Sequence, residues 1–232
     1  TCIFAGNHTA TTVNIYIMEK KHEVHNLIIL DESGSMNSIK NHVISGLNEI
    51  VQTIKGIEKK FPEQEHYITF LTFNGFGIKQ LHFADRAREL KKINSQTYNP
   101  EADTPLYDAM GYAITKLKLH LMNKTDYHVL VTVFTDGEEN ASEEYQAQAI
   151  KKLVEELKQQ HWTFTYIGTD HDVLHAGTSI SITNTITKKK NEDGVKDLFL
   201  KEKTARYNYS QRVRDKVETG EDYYKELEEE PD

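Results

Sequence analysis

The run Leu27-Ile28-Ile29-Leu30, which ends on Asp31, constrains this chain more than any other stretch. Consecutive apolar residues without alternation fit a strand covered on both faces, as in a parallel sheet between two layers of helices. The rest of the chain meets that requirement. Val43, Leu47, Ile50, Ile54 and Ile57 recur at spacings of four and three, one stripe of an amphipathic helix. Tyr67 to Phe73 reads as a second buried strand. Asn74-Gly75 and Gly77 then turn the chain into a short return strand, Ile78 to Phe83, antiparallel at a sheet edge. Asp85 to Ile93 is charged, with few apolar anchors, and reads as a surface helix or loop. A helical stripe follows at Leu106, Met110, Ala113 or Ile114, Leu117 and Leu121, then a strand from Val129 to Phe134. Tyr145, Ile150, Leu153, Val154 and Leu157 supply another helix, and Trp162 to Ile167 another strand. This alternation predicts an α/β fold: a Rossmann-like three-layer sandwich with a mainly parallel central sheet, one antiparallel edge strand and helices on both faces.

Further on, the pattern predicts a short helix at Asp172 to Ala176 and a last edge strand at Ile180 to Thr187. A helix from about Gly194 to Val217 carries Val195, Leu198, Glu202, Ala205, Tyr209 and Val213 on one side and is expected to lie partly exposed on the sheet. The chain thus divides into an N-terminal extension (1–20), a domain (21–190), a helix packed on it (191–217) and an acidic tail (218–232). Residues 1–17 lack a basic leading segment and a clean apolar core, and Met18 followed by Glu-Lys-Lys-His looks like a more natural start. They are expected to be a non-native or mis-assigned extension, disordered or loosely attached.

The apolar run leads into Asp31-Glu-Ser33-Gly-Ser35. Gly34 lets the backbone turn so that a carboxylate and two hydroxyls converge at the carboxyl end of a buried strand, where open α/β sheets place their ligands. Hard oxygens of this kind suit a divalent ion such as Mg²⁺, and they are too few to enclose it. Two more segments occur downstream: Asp103-Thr104-Pro-Leu-Tyr-Asp-Ala109, just before a helix, and Thr135-Asp136-Gly137, at the end of the second most apolar strand. The bland readings are a helix cap at Ser33 to Ser35 and an ordinary turn at Asp136-Gly137.

Together the three segments resemble the metal-ion-dependent adhesion site (MIDAS) of von Willebrand factor type A (vWA) domains, and the chain resembles stand-alone bacterial vWA proteins more than integrin inserted domains. The resemblance implies a metal set of Asp31, Ser33, Ser35, Thr104 and Asp136 holding Mg²⁺ (or Mn²⁺). Ser33 and Ser35 would bind directly, and Asp31 and Asp136 often through water. It also implies a protein-binding role in which a partner's Asp or Glu completes the shell, with an AAA+ ATPase or another complex subunit as the kind of partner.

Other function classes fit less well. The net charge of −8 argues against nucleic-acid binding through a general basic surface. A lone cysteine, Cys2, excludes a disulfide framework and fits a reducing, cytoplasmic setting. No apolar run approaches the roughly 18–20 residues that span a bilayer. A strand ending in Asp also opens haloacid-dehalogenase-type enzymes, but their second acid is replaced here by Ser33. P-loop and nucleophile-elbow patterns are absent. No histidine or third acid is spaced as a general base for a metal-assisted hydrolase, so no catalytic residue is assigned. His171 and His175 read as surface histidines rather than zinc ligands. Lys188 to Lys190 with Lys201, Lys203, Arg206, Arg212 and Arg214 reads as a solvated basic face, the alternative being a dock for an acidic partner or RNA around a purely structural ion.

Overall fold

The computed structural model describes residues 21–169 and 173–225. Six strands form one sheet in the order β3-β2-β1-β4-β5-β6. They are β1 (His22–Asp31), β2 (Gln64–Asn74), β3 (Gly77–Arg86), β4 (Tyr127–Thr135), β5 (Trp162–Thr169) and β6 (Asn184–Lys188). Every neighbouring pair is parallel except β2 and β3, so the hairpin at Asn74 to Gly77 makes the one antiparallel edge. The helices are α1 (Lys40–Lys60), α2 (Leu106–Leu121), α3 (Ala147–Lys158), α4 (Val173–Ser179) and α5 (Glu192–Asp215).

Apolar side chains of the central strands divide between two cores. Leu27 and Ile29 of β1 face a cluster built on α2 and α3, with Val131, Val133 and Phe164 beside them. Ile28 and Leu30 face the opposite cluster, built on α1 and α5. That division of successive residues is the reason the run shows no alternation: both faces are covered. Helices α1 and α5 approach closely at Gly46, where a Cβ would meet the Phe199 ring at 2.0 Å.

Several boundaries differ from the sequence expectation. β3 extends through Asp85 to Arg86, and Ala87, Leu90 and Ile93 are buried, so sparse apolar anchors still tie this charged segment down. Ile180 and Ile182 are core residues ahead of β6, which begins only at Asn184. All six residues of the stripe expected on α5 are buried, and the helix is fixed more deeply than its thin apolar side suggested. Arg206, expected on a solvated basic face, is 1% exposed. It donates to Asn26 Oδ1, Thr132 Oγ1 and Glu202 Oε1, each at 2.7 Å. The segment from 218 also departs from a solvated tail. Thr219 and Tyr223 are buried, and the Tyr223 and Tyr224 hydroxyls donate to Glu202. The expected extension at 1–20, His171 and residues 226–232 lie outside the described residues.

Candidate metal centre

The strand order places β1 beside β4, with connections leaving the pair in opposite directions, so a crevice opens at their carboxyl ends. Register pairs Leu30 with Phe134, which brings Asp31 alongside Thr135 and Asp136. Asp31 Oδ1 accepts the Ser33 backbone N–H at 2.7 Å and Oδ2 accepts the Thr135 hydroxyl at 2.6 Å. The first of these bonds folds the loop back on its own carboxylate. The loop is also stitched to the Thr104 loop, since Gly34 N–H donates to the Ala102 carbonyl at 2.9 Å and Glu101 N–H to the Glu32 carbonyl at 2.8 Å.

The hydroxyls then meet. Ser33 Oγ lies 3.1 Å from Ser35 Oγ, and Ser35 Oγ donates to Asp136 Oδ1 at 2.5 Å. Thr104 is held by exchange with Asn140, whose Oδ1 accepts the Thr104 N–H at 2.9 Å. A Cβ built on Gly137 would stand 3.5 Å from Thr104 Oγ1 and 3.7 Å from Ser35 Oγ, so the missing side chain leaves a small hollow between the three segments. Ser33 precedes a 3₁₀ turn, Gly34–Ile39, yet its side chain makes no capping bond. The helix-cap reading therefore does not account for that hydroxyl. All five expected residues face one crevice, and Asp31, Ser33, Thr104 and Asp136 are buried.

Burial pushes the Asp31 carboxyl above its ordinary value, against the Thr135 and Ser33 bonds, and the nearby Asp136 charge adds to the push. Asp136 Oδ2 is buried with no aligned hydrogen-bond donor, although Lys190 Nζ stands 2.6 Å away as an ion pair by distance. Two carboxylates, one of which has a buried oxygen lacking an aligned donor, and three hydroxyls are a donor set that fits a small hard cation.

The family model for the von Willebrand factor type A domain matches residues 27–203. The chain belongs to that family. Similar solved structures include the SpRpn10 VWA domain, with a TM-score of 0.53 at 12% identity over 78% of this chain and 95% of that one. They also include the pilus adhesin SpaC from Lactobacillus rhamnosus GG, with a TM-score of 0.58 at 12% identity over 80% of this chain and 30% of the adhesin. Proximal thread matrix protein 1 from the mussel byssus gives 0.54 at 14% identity over 78% of this chain, which spans only 45% of the mussel protein. At these identities the likeness concerns the fold. No curated protein matches the sequence.

The vWA crevice has supporting residues that the motif did not reveal. Tyr98, fully buried, donates its hydroxyl to the Asp31 carbonyl at 2.9 Å. Thr135 holds Asp31, and a hydroxyl directly before Asp136 was its only signal in the sequence. Glu32 points to the other side of β1, where it meets Lys79 Nζ at 2.8 Å and accepts from Thr72 and the Asn99 N–H. Glu139 accepts from the Tyr107, Ala141 and Ser142 backbone N–H groups. Lys190, expected on a solvated face, turns inward to Asp136. Elsewhere the basic cluster is broken up, with Lys188 paired to Asp197 at 2.9 Å and Arg214 to Asp215 at 2.8 Å.

A cavity of about 750 Å³ opens at the opposite, amino-terminal edge of the sheet, lined in part by His22, Asp126, His128 and His161. It shares no residue with the vWA crevice, and among the described residues no group of three or more His, Cys, Asp or Glu is arranged to hold a metal. Among the described residues no helix is long and apolar enough to cross a membrane.

Proposed function

We propose that this vWA domain is a divalent-ion-dependent protein-binding module with a MIDAS formed by Asp31, Ser33, Ser35, Thr104 and Asp136. The observation that carries the reading is the meeting of three distant segments, with Ser35 Oγ 3.1 Å from Ser33 Oγ and 2.5 Å from Asp136 Oδ1, beside Thr104 and the Gly137 hollow. Bound there, Mg²⁺ (or Mn²⁺) supplies an electrophilic centre that takes one more anionic oxygen. The protein's own groups do the rest. Ser33, Ser35 and Thr104 offer neutral oxygens, while Asp31 and Asp136 balance the ion's charge without exceeding it. A partner's Asp or Glu is then the matching ligand, as the family resemblance implies.

Binding is favoured over hydrolysis because the two buried or half-buried acids beside the cluster are committed elsewhere, Glu32 to Lys79 and Asn99, and Glu139 to three backbone amides, while Glu101, Asp103 and Glu138 are exposed. Neither Glu32 nor Glu139 stands ready to activate water, and among the described residues no histidine joins the cluster.

Affinity capture from native lysate, with and without a chelator, tests the proposal. Partners retained by the native chain in Mg²⁺ are expected to be lost on chelation and lost with Asp31→Ala, while the variant keeps its circular dichroism spectrum. Capture that persists in both cases assigns the ion a purely structural role. Turnover of a phosphoester or peptide by the native chain alone moves the site to the enzymes.

A further inference from the structure

Lys190 lies in the short connection between β6 and α5, at the carboxyl end of the sheet. Its Nζ is 2.6 Å from Asp136 Oδ2, on a carboxylate whose side chain is 0% exposed, while the lysine side chain is 20% exposed. The other oxygen of the same carboxylate accepts the Ser35 hydroxyl at 2.5 Å. The chain itself therefore brings a cation to the residue that the proposed ion also needs. A buried carboxylate requires a counter-charge, and near Asp136 the lysine supplies one.

We infer that Lys190 is a tethered competitor of the divalent ion: its ammonium group neutralises Asp136 in the ion-free protein and gives up that carboxylate when the ion binds. The inference rests on the MIDAS reading above and adds a regulating residue to it. Two like charges cannot share one carboxylate in a buried crevice without strong repulsion. The lysine thus sets a threshold concentration below which the site stays closed to the ion. It also keeps the two acids from repelling each other when no ion is present, so the vacant crevice stays folded. Release would place a positive charge at the rim, where an incoming carboxylate can meet it.

Titration calorimetry of Mn²⁺ into the full chain tests this, using Lys190→Gln, Lys189→Gln and Asp136→Asn beside the native protein. Lys189 is the neighbouring lysine, exposed, and its loss changes net charge by the same amount. Lys190→Gln is expected to tighten Mn²⁺ binding by about tenfold or more, with Lys189→Gln near the native value. A second measurement needs no variant. Acylation of Lys190 in the native chain, followed by mass spectrometry, is expected to rise several-fold when Mg²⁺ saturates the site. Equal affinity in Lys190→Gln and native protein, or unchanged acylation under saturating Mg²⁺, overturns the competitor while leaving the ion site standing. If the native chain binds no Mn²⁺ more tightly than Asp136→Asn, the MIDAS reading fails and the inference fails with it.

Discussion

Glycine 137 decides how much room the crevice has. It has no positive φ, so alanine fits its backbone, and the added methyl would meet Thr104 Oγ1 at 3.5 Å and Ser35 Oγ at 3.7 Å, ordinary contact distances. Gly137→Ala is therefore expected to change folding stability by less than about 1 kcal/mol. It is also expected to weaken Mn²⁺ binding at least roughly tenfold, because the methyl takes space between two ligand oxygens. Urea unfolding and calorimetry on one preparation separate the two effects; a large loss of stability with unchanged affinity would contradict this account. At this scale the sequence was informative where chemistry repeats at short spacing, as in Asp31, Ser33 and Ser35. It was silent where a residue reaches the site through the fold. Tyr98 is 67 residues from Asp31 and Lys190 pairs with Asp136 across the sheet edge, and neither has a local pattern to mark it.

Among the elements, α5 is where reading from pattern fell short. Its apolar side is thin because a buried ion pair replaces part of it: Arg206 and Glu202, one turn apart, sit under the helix at 1% and 0% side-chain exposure. Arg206 also bonds to Asn26 of β1 and Thr132 of β4, while Glu202 receives the Tyr223 and Tyr224 hydroxyls. Periodicity scores charged residues as solvent-facing, so this anchor cannot be read from hydropathy. Arg206→Leu is expected to cost about 3–5 kcal/mol, since it leaves the Glu202 carboxylate buried without its cation. Adding Glu202→Leu should recover most of that loss. Urea midpoints of the single and double variants check it, and a double variant no more stable than the single would refute the pairing argument. Gly46→Ala is expected to destabilise by about 1–3 kcal/mol, because the methyl overlaps the Phe199 ring on the facing helix.

For the whole molecule, the sheet order and the alternating helices were legible because continuous apolar strands admit few other architectures. Buried and half-buried imidazoles were not, since histidine carries no burial signal of its own. Burial pushes His66 down to about 3 and His25 and His128 down to about 4, from 6.5. In each case the folded value lies below the unfolded one, so the unfolded chain takes up protons first as pH drops. Their contribution to stability is fully present above about pH 6.5 and is lost as pH falls toward the folded values, at up to about 1.4 kcal/mol per pH unit for each imidazole. Urea midpoints are expected to fall steadily between pH 7 and pH 5; a flat profile would contradict it. The central claim, that three distant segments assemble one cation site at the β1–β4 crevice, has a more direct test. A crystal soaked in Mn²⁺ should give an anomalous peak about 2.1–2.3 Å from the Ser33 and Ser35 hydroxyl oxygens. A Mn²⁺ peak that lies away from both serines, or none at millimolar Mn²⁺, would contradict the account.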